Sequence, residues 1–394
     1  MDIILLLAGT LAIVLFKSNT IRMHLVIFVY PIWVMFLTKS DVYIPGIISA
    51  IGLDYYEQYV ATAFWWALIG YYTFVVLLWG KRKVRVQFET VLIEEKSRVI
   101  LVGFTVIVAA IFMPRVFFIS DERFNLLPFF AWGALYNVMS VILIISHQNF
   151  KRTSSIIHLM LLVFIMARGE RADQIMVLLS LFLFSGIYIK NEIKINYKFA
   201  IGGGLLFMVV SFIGIIRIIG FQNFIEHFTF YLGLSFYAQQ TAADVTHVYM
   251  SSVLFYFQEP PDYAVVMNLP LSILPGLPGG GSAASNNYIN TLMQVVPSYG
   301  GGLFYAEAAM NFGVLGIMFY AASLALLIRY SLACDTLLKK IITFVVFTMV
   351  FRVHWYGLLY IIKPIYISLL LVVILKYFTK KFTNDRINEN SPST

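Results

Sequence analysis

Continuous apolar runs, several of them of the roughly 20 residues a helix needs to cross the hydrocarbon core of a bilayer and others shorter, recur along almost the whole chain. Eleven such runs are readable, at about 2–16, 23–38, 59–79, 99–119, 126–146, 156–167, 174–189, 199–219, 302–328, 341–352 and 364–377. A membrane β-barrel would show segments of about ten residues alternating in polarity. These runs do not alternate. With 60% hydrophobic and 12% charged residues, the chain lacks the polar surface a water-soluble fold requires. The expected fold class is all-α, a polytopic transmembrane helical protein. Ile3 to Phe16 follow Met1-Asp2 with no basic stretch and no small-residue cleavage site, so the first run reads as a retained helix. Cys334 is the single cysteine and has no internal disulfide partner.

The basic loop Lys81-Arg82-Lys83 fixes the orientation once it is taken as internal. Alternation then puts 20 of the 28 Lys and Arg inside, among them Lys17, Arg22, Lys151, Arg152, Lys190, Lys339, Lys340, Lys380 and Lys381. The N-terminus is expected outside and the C-terminus inside. The pI of 9.3 thus encodes orientation in a lipid bilayer, and no nucleic-acid partner is needed to explain it.

The external cations run against this rule. They are Lys39, Arg115, Arg123, Arg168, Arg171, Arg217, Arg352 and Lys363, and six of the eight are Arg, whereas the internal set holds 13 Lys and 7 Arg. Topology is served equally by Lys, but only the guanidinium fork grips a phosphate bidentately. An anionic ligand at the outer face is one reading. Anchorage at lipid headgroups, or pairing with Asp121, Glu122, Glu170 and Asp173, is the other.

Residues 220–301 form one long external loop that contains no Lys or Arg between Phe221 and Gly301. Phe224 to Tyr237 and Val245 to Phe257 read as amphipathic or re-entrant helices separated by Gln239 and Gln240. Pro275 to Ser282 reads as a turn region. Loops of this length tend to bind ligands or cover sites. The aromatics and amides suit carbohydrate, or else belong to an interfacial aromatic belt. The chain accordingly divides into helices at 1–219, the loop at 220–301, further helices at 302–378 and an internal tail at 379–394.

Two short segments carry dense polar chemistry. Arg168-Gly169-Glu170-Arg171-Ala172-Asp173 sets four charges between two apolar runs. Glu307 stands in the outer part of the ninth run, within Glu307-Ala308-Ala309-Met310-Asn311-Phe312-Gly313-Val314-Leu315-Gly316, with no cation beside it in sequence. The tenth run ends in Phe351-Arg352-Val353-His354-Trp355, where His354 is either a base or a structural interfacial residue.

The order of these parts resembles the O-antigen polymerase (Wzy) family of repeat-unit polymerases: an Arg-Gly pair between helices, a large periplasmic loop, then Glu-Ala-x-x-Asn-Phe-Gly-x-x-Gly opening the next helix. Here Arg168-Gly169, residues 220–301 and Glu307 to Gly316 fill those places. The resemblance implies a bacterial inner-membrane glycosyltransferase whose site faces the periplasm. Its substrate would be an oligosaccharide linked to undecaprenyl pyrophosphate, and its expected partners a chain-length-determinant co-polymerase and a flippase. Breaking a glycosyl–phosphate bond builds negative charge on the departing pyrophosphate, and fixed cations stabilise it. No two aspartates are two apart and no His/Cys cluster has metal spacing, so no metal or other cofactor is expected and arginines take that part. Glu307, His354 and Arg168 are the catalytic candidates. Arg171, Arg217, Arg352, Arg115, His247 and Asp244 are the candidate substrate-binding residues. An O-antigen ligase acting on lipid A core and a non-enzymatic lipid-linked oligosaccharide flippase are the alternatives.

Overall fold

A computed structural model describes residues 1–39, 57–84, 220–228, 239–261, 303–332 and 335–389, with the single positions 100, 103, 205, 212 and 216. Every element among the described residues is helical: α1 (Asp2–Leu15), α2 (Asn19–Lys39), α3 (Glu57–Trp79), α4 (Phe221–Glu226), α5 (Gln239–Gln258), α6 (Ala306–Ser331), α7 (Leu337–Thr348), α8 (Val350–Tyr356) and α9 (Leu359–Glu389). The expected spans four to eight, at 99–219, lie outside the described residues.

Among the described residues, three helices are long and apolar enough to cross a membrane: Asn19–Leu37, Tyr59–Trp79 and Ala306–Ser331. Their positions match three of the runs read from sequence. The 21 residues of α2 reach about 31 Å at about 1.5 Å per residue, close to the ~30 Å of a bilayer core. The outward faces agree with lipid. On α1, Ile4, Leu7, Leu11 and Val14 recur at helical spacing and are exposed, Leu11 by 67% and Val14 by 70%. On α6, Leu315 and Phe319 do the same at 71% and 69%. Such stripes mark a membrane protein.

The chain divides into two compact units. The first contains α1 to α6 and α8; the second contains α7 and most of α9.

Within the first unit, α3 is the central post. The Tyr71 hydroxyl donates to the Gly9 carbonyl at 2.8 Å and Tyr72 to the Leu5 carbonyl at 2.6 Å, while Phe16 meets Trp79 edge-on at 6.0 Å. Those pairs run in step, so α1 and α3 are parallel. Phe28 meets Phe74 and Phe36 meets Phe64, which makes α2 antiparallel to α3. Gly9 admits the Tyr71 ring, because a Cβ there would stand 2.9 Å from it. Close approach at small residues is how helices gain packing energy in lipid, where the hydrophobic drive between them is absent.

One expectation for the external loop is corrected. Gln239 and Gln240 do not separate helices; they open α5, which starts six residues before Val245. Val248 through Phe255 are all buried, so this stretch of α5 is enclosed on every side, while Tyr256 and Phe257 beyond it are exposed. Tyr249 donates to the Ala63 carbonyl at 3.0 Å, and Tyr256 and Phe257 pack on Trp66 and Tyr59 of α3.

The ninth and tenth runs are not single straight spans. Gly313 breaks α6 with φ +57°, ψ −142°, a conformation that L side chains with a Cβ rarely adopt. The chain bends so sharply there that a Cβ at Gly316 would collide with the Ala308 carbonyl. The tenth run is divided between α7 and α8 at Met349. In the second unit, α9 continues to Glu389, so the expected tail at 379–394 begins as helix.

Candidate functional site

The site is built on the first turns of α2. Ser18, buried at the turn, accepts the Ile21 N–H at 3.5 Å and starts the helix, which then carries His24 and Phe28 on a buried face. The short helix α8 packs against α2. Its backbone is set by Gly357, whose φ of +111° ends the helix after Tyr356.

His24 and His354, 330 residues apart in sequence, meet with Nδ1 of the first 3.0 Å from Nε2 of the second. Both side chains are buried. Between two neutral imidazoles one nitrogen donates and the other accepts, so the pair fixes complementary tautomers. Among the described residues, His354 Nδ1 has no hydrogen-bond partner. Rings close around the pair: Phe74 lies 6.4 Å from His24, and Phe28 and Phe304 lie 5.8 and 5.1 Å from His354.

The segment leading into α6 is tied to the same place. The Phe304 N–H donates to the His354 carbonyl at 2.9 Å. Tyr305, fully buried, stacks on Phe28 at 5.2 Å and meets Tyr249 of α5 edge-on at 4.8 Å. Its hydroxyl has no partner among the described residues. Glu307 follows in the first turn of α6, half-buried, its backbone carbonyl accepting the Asn311 side-chain N–H at 3.2 Å. The Asn311 amide oxygen is buried and has no hydrogen-bond partner among the described residues. Beyond it comes the break at Gly313, where a Cβ would press on Tyr256 at 3.0 Å and Trp66 at 3.2 Å. The spacing from Glu307 to Gly316 thus encodes a short polar helical piece set off from the longer span.

Arg352 is buried on α8. Two residues from His354, it faces a different side of that helix. A guanidinium does not shed its proton, so α8 keeps a fixed positive charge in this interior.

Among the nine residues singled out from sequence, Glu307, Arg352 and His354 are brought onto two segments joined by the Phe304–His354 backbone bond. Asp244 and His247 fall on the N-terminal half of α5, the helix that packs on α6. Arg115, Arg168, Arg171 and Arg217 lie outside the described residues. One expectation is corrected. The sequence set His354 in an external connection and the start of α2 at the opposite, internal end, yet the two side chains are hydrogen-bonded. His24 stands five residues, about 7 Å of helix rise, from the Asn19 end of α2. The breaks at Met349 and Gly357 let α8 tuck into the interior in place of ending at a surface.

No family model, no curated protein and no solved structure matches the chain. What the chain itself offers is a half-buried carboxylate, a buried guanidinium and a paired imidazole on segments that meet. His24 is the residue that reading the sequence missed. Its signal was present: an ionisable residue one position inside an apolar run is a functional candidate by default.

Proposed function

We propose that this protein is a glycosyltransferase that polymerises oligosaccharide repeat units carried on undecaprenyl pyrophosphate. One observation carries the reading furthest: the backbone bond from Phe304 to His354 joins the segment of Glu307 to the helix of Arg352, so the carboxylate and the cation required belong to neighbouring pieces of chain.

In this reading an acceptor sugar hydroxyl attacks the anomeric carbon of the donor. The new C–O bond forms as the bond from that carbon to the pyrophosphate oxygen breaks, and the electron pair leaves on the phosphate. Arginine guanidinium groups balance the charge that develops there. The hydroxyl proton passes to a base, for which Glu307 is the first candidate and His354 the second. Arg168, Arg171 and Arg217, with Arg352, supply the cationic surroundings, and the aromatic and amide residues of the loop at 220–301 hold sugars. Catalysis on the periplasmic side rests on the external placement that alternation gives Arg168, Arg171 and Arg217. A chain-length-determinant co-polymerase is the expected partner.

The test is the lipopolysaccharide pattern of a strain lacking this protein. A ladder that collapses to core plus a single repeat supports a polymerase. Bare core points to the ligase or flippase alternatives, and an unchanged ladder rejects all three.

A further inference from the structure

The first unit gathers basic residues from two stretches of sequence at one end of α1, α2 and α3. Lys17 comes from the turn between α1 and α2 and Arg22 from the first turn of α2; Lys81, Arg82 and Lys83 follow α3. The Lys17 N–H donates to the Arg82 carbonyl at 2.7 Å, which locks the two stretches side by side. Lys81, Arg82 and Val84 close backbone turns onto Leu78, Trp79 and Lys81, so this end is ordered. Two arginines are held in place by the backbone: Arg22 donates to the Val14 carbonyl and Arg82 to the Trp79 carbonyl, both at 3.2 Å. The Arg82 guanidinium also lies 5.0 Å from the centre of the Trp79 ring. No carboxylate among the described residues pairs with any of the five. Across the whole of residues 17–22 and 80–98 the sequence holds eight cations against Glu89, Glu94 and Glu95.

Directly beside this charge the surface turns apolar. Val14, Leu15, Val76 and Trp79 are exposed by 70%, 56%, 67% and 40%. Cations bordered by exposed aliphatic side chains and an interfacial tryptophan match a molecule with a phosphate head and a hydrocarbon tail, not a soluble polyanion, which would leave the aliphatic groups in water. We infer that this end of α1–α3 is a binding site for an anionic phospholipid, its phosphate held by the Lys17, Arg22 and Arg82 side chains and its acyl chains lying along Val14, Leu15 and Val76. The orientation bias of the basic loops then becomes a local grip on lipid. The inference is independent of the glycosyltransferase reading.

Native mass spectrometry of the purified full-length protein, equilibrated with phosphatidylglycerol, with phosphatidylcholine or with inorganic phosphate, tests it. Phosphatidylglycerol is expected to be retained over phosphatidylcholine. The K81Q/R82Q/K83Q variant should lose at least about tenfold of that retention, given the free energy each basic residue contributes at an anionic surface. A K339Q/K340Q/K380Q variant, which removes the same charge elsewhere, should keep it. A K17Q/K83Q variant guards against a disturbance of Trp79 on replacing Arg82, since Lys17 and Lys83 make no side-chain bond among the described residues; it should lose retention in the same direction. Equal retention of the two lipids, equal loss in the two triple variants, or inorganic phosphate held as tightly as the lipid each overturn the inference.

Discussion

Replacing His24 with Phe is the sharpest perturbation the structure offers. Phe keeps a ring of similar width in contact with Phe74, but it removes the nitrogen that stands 3.0 Å from His354 Nε2. His354 would then have both ring nitrogens buried without a partner, since its Nδ1 already has none. An unmade buried hydrogen bond costs about 1–3 kcal/mol in water-soluble proteins, and interhelical polar contacts in membranes fall at about 0.5–2 kcal/mol because the unfolded helices also find partners. The expected loss for H24F is therefore about 1–2 kcal/mol. H354F should cost a similar amount, and the double H24F/H354F variant less than the sum, because an apolar pair of like shape removes both ends of this hydrogen bond together. Unfolding of the four proteins by SDS in mixed micelles measures the cycle. A coupling within about 0.5 kcal/mol of zero would refute the reasoning and make the two rings independent core residues.

G313A should lower stability by about 2 kcal/mol, since an L residue at φ +57° is strained and its Cβ presses on Tyr256 and Trp66, whereas G80A, with open space around it, should change nothing in the same unfolding assay. If the glycosyltransferase reading holds, E307Q inserts normally but makes no polymer, and R352K restores little, because a point charge lacks the bidentate fork; wild-type ladders in both would remove these residues from the chemistry. Reporter fusions after Lys83, Lys194 and Thr383 should report the cytoplasm and one near Asn286 the periplasm; a periplasmic signal at Lys83 overturns the assigned orientation. Lys339, 2.8 Å from Asp335, holds that carboxyl below its usual range, so the pair's contribution is present above the ordinary carboxylate range and is lost as pH falls through the lowered value. Asp335 is exposed, so D335N should leave the neutral-pH melting temperature unchanged within error.

The sequence by itself determined where helices form. A run such as 59–79 has no polar break and the length of a bilayer core, and it became the apolar span Tyr59–Trp79; the run at 23–38 became α2 with its N-terminus four residues earlier, where Ser18 caps it. Hydropathy is a local property, so these elements could be read one at a time. It also marked Glu307, Arg352 and His354, because ionisable groups are rare in such runs. Only the tertiary structure decided how the marked residues are used. Nothing in the run 302–328 announces that Gly313, one glycine among several, takes a positive φ and divides α6; there it lies against Trp66 and Tyr256, which come from other helices and leave no room for a Cβ. Nothing local links His24 to His354 either, for a hydrogen bond spanning 330 residues depends on α8 being short enough to fold onto α2. The chain's composition sets which segments enter the membrane, while contacts between distant segments set which polar atoms meet there.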